Sequence, residues 1–269
     1  MNANHYYSIG STHIVCQDYA RSGYTVDGNA YAIVCDGCSS SPDTDVGARI
    51  VGLTAEKLVR IGGEIPTGPE IAWLAKEKIV NLGLEPQAMD ATLIIALQND
   101  NTVKIRGWGD GFIVSSYGDG LWQYNEYEYD PNYPFYLSYM ADTERMKLWR
   151  DSGLGLTVRS INQSEINKTT QPEKPEGWSD QILLRPGRVM FIVTDGMSSF
   201  EDKSIDSLNK RVDPSRIAEE LVKIKVPRGK FIEKRTRRML RTLEKENIVN
   251  TDDFGIAGIV NPAEQDKQK

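Results

Sequence analysis

The sequence predicts a mixed fold in which α-helices and β-strands share one unit, and two kinds of segment carry this prediction. Apolar runs of five to seven residues stop at turn-forming residues such as Asp-Gly, which is typical of buried strands. Two longer segments instead repeat their apolar residues at near-helical spacing. Because sheet-rich folds reach the length of this 269-residue chain as one unit, we expect a single domain over residues 1–262 and a polar C-terminal tail over residues 263–269.

The first predicted elements are a strand and two helices. Residues 31–35 form a short apolar run that ends at Asp36-Gly37, which predicts a buried strand followed by a turn. Apolar residues recur at helical spacing over 46–61 and predict a helix; the polar side chains of residues 38–45 could cap it or could contact a phosphate. A second helix is predicted over residues 69–82, with proline at its start and glycine after its end.

Strands are predicted again in the middle of the chain. Residues 91–97, 102–108 and 111–117 are rich in strand formers and are separated by turn residues, so an antiparallel meander is the simplest arrangement. The next stretch, residues 118–180, is rich in Tyr, Asn and Pro and has no clear period. We expect it to form irregular loops.

The last third of the chain predicts a strand, a helical region and a final strand. Residues 189–194 are apolar and end at a second Asp-Gly pair, Asp195-Gly196. A helical region interrupted at residues 227–229 follows, and residues 254–260 form the last predicted strand directly after a pair of aspartates.

Composition and charge exclude several classes of protein. The net charge of −6 argues against a general nucleic-acid binder, which needs a surplus of Lys and Arg. We expect no membrane span and no secretory signal, and three cysteines suit a reducing compartment, so the cytoplasm is the expected location. Residues 223–241 are strongly basic against this background; they are either a solvated helix face or a docking site for an acidic or phosphorylated partner.

Acidic residues recur where predicted strands begin or end. Asp36 and Asp195 each follow an apolar strand directly and precede a glycine, while Asp110 and Asp252 lie at the edges of two further strands. A single Asp-Gly pair is ordinary turn chemistry. Several carboxylates at the strand ends of one sheet repel one another unless a cation neutralises them, so together they predict a hard-metal site with oxygen ligands.

The order of these pieces resembles the type 2C, metal-dependent serine/threonine protein phosphatases over nearly the full length of the chain. The motifs that carry the resemblance are Cys16-Gln17-Asp18, the run from Ala32 to Gly37, Asp90-Ala91-Thr92, Gly109-Asp110, the run from Ile192 to Gly196, and the run from Asp252 to Ile256. The resemblance implies an α+β fold, namely a four-layer αββα sandwich of two antiparallel sheets flanked by helices. It also implies a phosphoprotein substrate and two Mg²⁺ or Mn²⁺ ions that activate a water for attack on phosphorus.

The resemblance also assigns roles to single residues. Asp36 would bridge the two ions and Gly37 would offer its carbonyl, while Asp195 and Asp252 would ligate the second ion. Asp18 would act from the outer shell, and Asp110 is a candidate ligand of a third ion. The resemblance implies catalytic roles for Asp18 and Asp36, and for His13 through contact with the substrate phosphate.

Three positions depart from the usual pattern of the family. His13 stands where many relatives have an arginine that clamps the phosphate, and it lacks the bidentate fork of that side chain. Gln17 replaces a glutamate and could only hydrogen-bond a coordinated water. Ser199 replaces an acid that supports the third ion in relatives, so the third ion lacks one expected ligand.

Other interpretations stay open on the sequence alone. The departures suit a catalytically inactive phosphatase-like protein that binds or regulates a partner, and a hydrolase of small phosphoesters is a third possibility. His13, Cys16, Cys35 and Cys38 have the composition of a zinc site, but strand alternation places Cys35 and Asp36 on opposite faces and favours a core position for Cys35.

Overall fold

The computed structural model describes residues 1–118, 120–129, 134–162, 165–172, 177–204, 210–224 and 228–263. Its five α-helices are α1 (Thr44–Gly62), α2 (Gly68–Asn81), α3 (Thr143–Asp151), α4 (Pro214–Val222) and α5 (Phe231–Lys245). Its strands are β1 (Asn2–Ser8), β2 (Asp18–Tyr24), β3 (Ala30–Gly37), β4 (Ala91–Asn99), β5 (Thr102–Trp108), β6 (Gly111–Gly118), β7 (Leu121–Tyr129), β8 (Gly155–Asn162), β9 (Ile166–Pro172), β10 (Trp178–Leu183), β11 (Arg188–Val193), β12 (Phe200–Asp202), β13 (Lys210–Arg211), β14 (Ile248–Asn250) and β15 (Phe254–Asn261).

Two large antiparallel sheets form the centre of the molecule. One has seven strands in the order β1-β15-β11-β6-β7-β8-β9, and the other has five in the order β10-β5-β4-β3-β2. The sheets meet face to face where β15 and β1 pack on β2 and β3. A small third sheet, β13-β12-β14, lies beside them.

Helices cover the outer faces of both sheets. Helix α1 packs on β2, β3 and β4, with α2 against α1, while α4 packs on β6 and β7 and α5 packs on β1 and β15. The order of layers is therefore helix, sheet, sheet, helix. The predicted α+β fold, a four-layer αββα sandwich, is confirmed.

The burial pattern explains why these segments fold as they do. Strand β4 is buried at seven consecutive positions because α1 covers one of its faces and the seven-stranded sheet covers the other. A strand buried on both faces has a continuous apolar sequence. Helix α1 instead buries small or β-branched residues at helical spacing, among them Gly47, Val51, Ala55 and Val59. One apolar core lies between the sheets and under α1 and α2, and a second lies between the seven-stranded sheet and the helices α4 and α5.

The predicted meander of the middle strands is wrong. Strands β4 and β5 do pair, but the chain then crosses to the other sheet, where β6 pairs with β11 and β7. Gly109 and Gly111 flank Asp110 at the crossing with φ of +95° and +137°, a backbone that other residues rarely adopt. Alternation along a strand identifies its buried face but not the sheet to which it belongs, which is why the sequence suggested a hairpin.

The prediction of irregular loops over residues 118–180 is also wrong. This stretch contains β7, α3, β8, β9 and part of β10, although residues 119, 130–133, 163–164 and 173–176 lie outside the described part of the chain. Strand β7 buries aromatic rings on both faces, with Trp122 and Tyr124 in the core under α4 and α5 and Tyr127 and Tyr129 in the core between the sheets. Strands β1 and β2 were not predicted, because both mix polar and small residues.

The side chains of residues 38–45 do not cap α1: Asp43, at the N-cap, has a φ of 55° and makes no capping hydrogen bond through its side chain. The extent of the single domain, residues 1–262, stays a prediction, and most of the predicted tail, residues 264–269, lies outside the described residues. No helix in the described ranges is long and apolar enough to cross a membrane.

Candidate active site

The five-stranded sheet brings two of the predicted acids together. Asp18 is the first residue of β2 and Asp36 lies near the end of β3, and the two are direct partners in the antiparallel register. Because opposed residues of adjacent strands place their side chains on one face, the two carboxylates are neighbours. Asp18 is buried, with 1% of its surface exposed.

The seven-stranded sheet supplies the other acids at the facing end. Strand β11 lies between β6 and β15, so Asp195 after β11, Asp110 before β6 and Asp252 before β15 all lie at one end of the sheet. The Thr194 hydroxyl donates to Asp18 Oδ2 across 2.7 Å and ties this end to the first sheet. The carboxyls of Asp36 and Asp195 are within hydrogen-bonding contact.

A cleft of about 450 Å³ opens over this meeting point of the two sheets. Its lining includes most of the predicted site residues, namely His13, Asp36, Gly37, Asp110, Asp195 and Asp252. Asp18 lies behind the cleft wall, where it contacts Asp36 and Thr194. The structure therefore brings all the predicted residues to one place and separates Asp18 from those that face the cleft.

Burial and mutual repulsion raise the pKa of the clustered carboxyls. For Asp36, loss of solvation is the largest cause, followed by the charges of Asp195, Asp18 and Asp110. The pKa of Asp18 and that of Asp195 are also raised, mainly by burial. Burial and the charge of Asp195 raise the pKa of Asp110 to about 8. A cluster of this kind is stabilised by any cation that enters it.

The donor set fits a hard divalent cation, because it consists of carboxylate oxygens and a backbone carbonyl at Gly37. As the side chains stand, no group of three or more His, Cys, Asp or Glu residues in the described chain could hold a metal ion. The contact between Asp36 and Asp195 shows the reason, since the two carboxyls face each other. A coordination shell would require these carboxyls to turn toward a shared ion.

The raised pKa values predict an unusual dependence of stability on pH in chelated protein. The pKa of the Asp110 carboxyl is about 8 in the folded protein and 3.8 in its ordinary, solvated state, so it stabilises the fold fully below pH 3.8 and loses this contribution as pH rises toward 8. We therefore expect the melting temperature in EDTA to fall between pH 5 and pH 8 and Mn²⁺ to reduce the fall. Circular dichroism melting measures this, and Asp110→Asn should flatten the slope. A chelated protein equally stable at both pH values would contradict the prediction.

His13 lies between two carboxylates instead of standing free in the cleft. Its Nε2 is 3.3 Å from Asp252 Oδ1 and its Nδ1 is 3.1 Å from Asp253 Oδ2. Asp253 is buried and also accepts hydrogen bonds from the backbone N–H groups of Gly10 and Gln17, at 2.8 and 2.6 Å. His13 and Asp253 therefore fasten the loop between β1 and β2 to the segment that carries Asp252.

The other two substituted positions also have structural partners. The Gln17 amide donates to Thr44 Oγ1 at 2.6 Å, which joins the loop before β2 to the first turn of α1. The Ser199 hydroxyl has one proton to donate, and it lies 2.6 Å from Asn250 Oδ1 and 2.8 Å from Gly196 O. Both side chains make hydrogen bonds within the protein and so connect the segments around the cleft.

The three cysteines do not support the zinc interpretation. Cys16 Sγ is 3.5 Å from the Asp18 carbonyl, Cys38 Sγ is 3.0 Å from Ser40 Oγ, and Cys35 is fully buried in the core. No group of three or more His, Cys, Asp or Glu side chains among the described residues is placed to hold a metal ion.

Three residues in or beside the cleft, Asp253, Asp90 and Arg145, were not predicted as site residues from the sequence. Asp253 was recognised only as part of a motif, and the backbone contacts of its carboxylate have no signature in the sequence. Asp90 and Arg145 line the cleft and form an ion pair at 2.8 Å across 55 positions of the chain. Only the fold could have revealed that pair, since Arg145 belongs to a segment predicted to be irregular.

The basic residues 223–241 run from the end of α4 through most of α5 and supply the charges on the outer face of α5; residues 225–227 lie outside the described part of the chain. The helix buries Phe231, Ile232, Met239 and Leu243 against the sheet. Glu233 pairs with Lys230 and Arg237, and Glu220 of α4 pairs with Arg235. Within the described ranges no ion pair joins Lys234, Arg238 or Arg241 to an acid, so the charge of the outer face is only partly compensated.

Comparison with known proteins identifies the family. The sequence profile described as "Protein phosphatase 2C" matches residues 8–251. A search of curated proteins found no match. Solved structures with the same fold include the serine/threonine phosphatase PstP of Mycobacterium tuberculosis, with 13% identity, a TM-score of 0.54, and coverage of 97% of this chain and 98% of that one.

Two further structures show the same likeness. The SiaA-PP2C domain of Pseudomonas aeruginosa has 11% identity and a TM-score of 0.53, with coverage of 95% of this chain and 85% of that one. The phosphatase domain of SpoIIE from Bacillus subtilis, solved with a fragment of its regulatory domain, has 10% identity and a TM-score of 0.53. The match covers 96% of this chain and 63% of the SpoIIE chain. At such identities the structures establish the fold, and the profile match over residues 8–251 establishes that this chain belongs to the protein phosphatase 2C family.

Proposed function

We propose that this chain is a phosphoserine/phosphothreonine protein phosphatase that depends on two Mg²⁺ or Mn²⁺ ions. The observation that carries the proposal is the convergence of Asp36, Asp110, Asp195 and Asp252 from both sheets on one cleft. Family membership supports the same chemistry. Clustered, buried carboxylates destabilise a protein, so their presence at one point is best explained by a cation that uses them.

In this proposal Asp36, the carbonyl of Gly37, Asp195 and Asp252 would hold the ions. When bound, the ions would supply a water with a lowered pKa and would neutralise charge on the phosphoryl group. Asp110 is left without its usual partner for a third ion, because the Ser199 hydroxyl is engaged with Gly196 and Asn250.

Asp18 would orient the site from behind the cleft. The Thr194 hydroxyl donates to Asp18 Oδ2 and accepts from the N–H of Gly255 at 2.9 Å, which fixes the hydroxyl and the carboxylate together. The same carboxylate contacts Asp36, so the fixed hydroxyl also helps to position the acid that faces the cleft. We assign Asp18 this outer role and the acids that face the cleft the inner one.

Phosphate release tests the proposed function. Purified protein should hydrolyse a phosphothreonine peptide and p-nitrophenyl phosphate with Mn²⁺ or Mg²⁺, and EDTA should abolish both activities. A higher kcat/KM for the peptide supports a protein substrate, and the reverse supports a small-phosphoester hydrolase. Turnover that persists in chelated protein would contradict the mechanism.

The second candidate function is a catalytically inactive phosphatase-like protein that binds or regulates a partner. It is favoured by the intramolecular contacts of His13 and Gln17, two positions where the family pattern expects an arginine and a glutamate. This candidate predicts Mn²⁺ binding without phosphate release from any substrate in the same assay.

We also propose that the outer face of α5 docks an acidic or phosphorylated segment of the protein substrate through Lys234, Arg238 and Arg241. Replacing these three residues with glutamate should lower kcat/KM for an acidic phosphopeptide about tenfold, because each exposed ion pair adds only a small amount of binding free energy. Turnover of p-nitrophenyl phosphate should not change. Charge reversal at Lys57 and Arg60 on α1 is the matched control, and equal losses in both variants would refute docking at α5.

A further inference from the structure

One wall of the cleft carries an arginine that no motif predicted. Arg145 lies in α3 and lines the same cleft as Asp36 and Asp195. Its guanidinium donates to both oxygens of Asp90, at 2.9 and 2.8 Å, and lies 4.7 Å from the centre of the Tyr139 ring. About a quarter of the Arg145 side chain, 26%, remains exposed.

Hydrogen bonds from two serines fix the Asp90 carboxylate, and the carboxylate in turn fixes the position of the Arg145 guanidinium. The carboxylate is buried and also accepts hydrogen bonds from Ser41 Oγ at 2.7 Å and Ser138 Oγ at 2.5 Å. Ser41 belongs to the loop that follows Asp36 and Gly37. The bond from Ser41 to Asp90 therefore links the position of Arg145 to the loop that begins at the candidate metal ligands.

The guanidinium keeps donors for another anion. An arginine has five N–H donors; the pairing with Asp90 accounts for two of them, and Nη1 also lies 3.5 Å from Ser138 Oγ. Arginine is suited to phosphate because its planar fork matches two phosphoryl oxygens. Stacking on Tyr139 and pairing with Asp90 remove rotational freedom, so little ordering is needed when an anion arrives.

The histidine at the cleft already lies against two carboxylates. His13 contacts Asp252 and Asp253 through its two ring nitrogens. Among the described residues that line the cleft, Arg145 is the one lysine or arginine. A phosphomonoester dianion in this acidic cleft requires such a cation beside any metal ions, because the surrounding carboxylates repel it.

We propose that Arg145 binds the phosphoryl oxygens of the substrate and that Asp90 is the positioning residue that holds it there. This proposal rests on the proposed function, which makes the ligand a phosphomonoester dianion. In this account α3, from the segment between β7 and β8, supplies the phosphate contact that position 13 does not.

The test measures binding of inorganic phosphate to Mn²⁺-loaded protein by isothermal titration calorimetry, so it does not depend on turnover. Arg145→Lys keeps the charge but not the fork, and we expect its phosphate affinity to fall at least about tenfold. The phosphate affinity of Arg145→Ala should fall further. Arg150→Ala is the matched control, since Arg150 is exposed on the same helix and does not line the cleft.

Mn²⁺ affinity and melting temperature of each variant separate phosphate binding from a structural role. Loss of phosphate affinity with Mn²⁺ affinity retained supports the proposal. Unchanged phosphate affinity in Arg145→Lys, a parallel loss of Mn²⁺ affinity, or a wild type that binds no phosphate would each overturn it. If Arg145→Ala does not fold, Arg145→Lys decides. Phosphate binding without turnover in the wild type would reject the proposed activity and leave the Arg145 site standing.

Discussion

Replacing Asp36 with asparagine should lower metal-dependent phosphate release at least about a hundredfold and leave the protein folded. Loss of a residue that only supports a metal ligand costs 10- to 100-fold, so loss of a proposed metal ligand should exceed that range. The change keeps the size of the side chain while removing a charge that Asp18, Asp110 and Asp195 oppose. We therefore expect the chelated variant to melt at a higher temperature than the chelated wild type at pH 8.

This pair of effects distinguishes a catalytic acid from a structural one. Phosphate release and thermal melting should be measured on the same preparations, with Asp151→Asn, an exposed position at the end of α3, as the control that changes neither. An Asp36→Asn variant that retains wild-type turnover would contradict the proposed role. A variant that loses turnover because it unfolds would leave Asp36 as a structural residue only.

Replacing Gly47 with alanine should destabilise the fold by about 3 kcal/mol or more, the upper end for overpacking of a close contact. A Cβ at this position of α1 would lie 1.6 Å from the carbonyl oxygen of Ala88 and 2.4 Å from its carbon. Both atoms belong to the backbone of the turn that leads into β4, so no side-chain rotation relieves the clash. The expected fall in melting temperature is roughly 6 to 12 °C for a domain of this size.

Gly62 provides the matched control for this prediction because it lies in the same helix. A Cβ there would have no neighbour within 4 Å, and Gly62→Ala should be neutral or stabilising by up to about 1 kcal/mol. Thermal melting of both variants separates the close contact from the general effect of alanine in a helix. Equal melting temperatures for the two variants would contradict the packing of α1 on the turn before β4.

The elements that could be predicted from the sequence are those with aliphatic residues in a short apolar run or at helical spacing. They are strands β3, β4, β5, β6, β11 and β15 and helices α1 and α2, each of which buries aliphatic side chains on at least one face. Strand β7 could not be predicted on that basis, since its buried side chains are aromatic and lie on both faces of the strand. The crossing between β5 and β6 could not be predicted either, because pairing depends on contacts distant in the chain.

The candidate site divides in the same way. The positions of Asp36, Asp195 and Asp252 could be predicted because each lies at the edge of a recognisable apolar strand, and strand ends converge. The partners of His13 and Gln17 could not be predicted. Their contacts with Asp253 and Thr44 depend on the conformation of the loop between β1 and β2. The pairing of Arg145 with Asp90 likewise depends on the fold, which brings α3 against the turn before β4.

The most direct measurement of the central claim is a Mn²⁺ titration of wild-type protein and Asp36→Asn, with bound ions counted by electron paramagnetic resonance and phosphate release measured in the same samples. We predict that the wild type binds two ions and that turnover rises with occupancy of the second. Asp36→Asn should lose at least one ion together with turnover. Phosphate release that precedes ion binding, or an unchanged ion count in Asp36→Asn, would contradict a metal centre built on the acids at the strand ends.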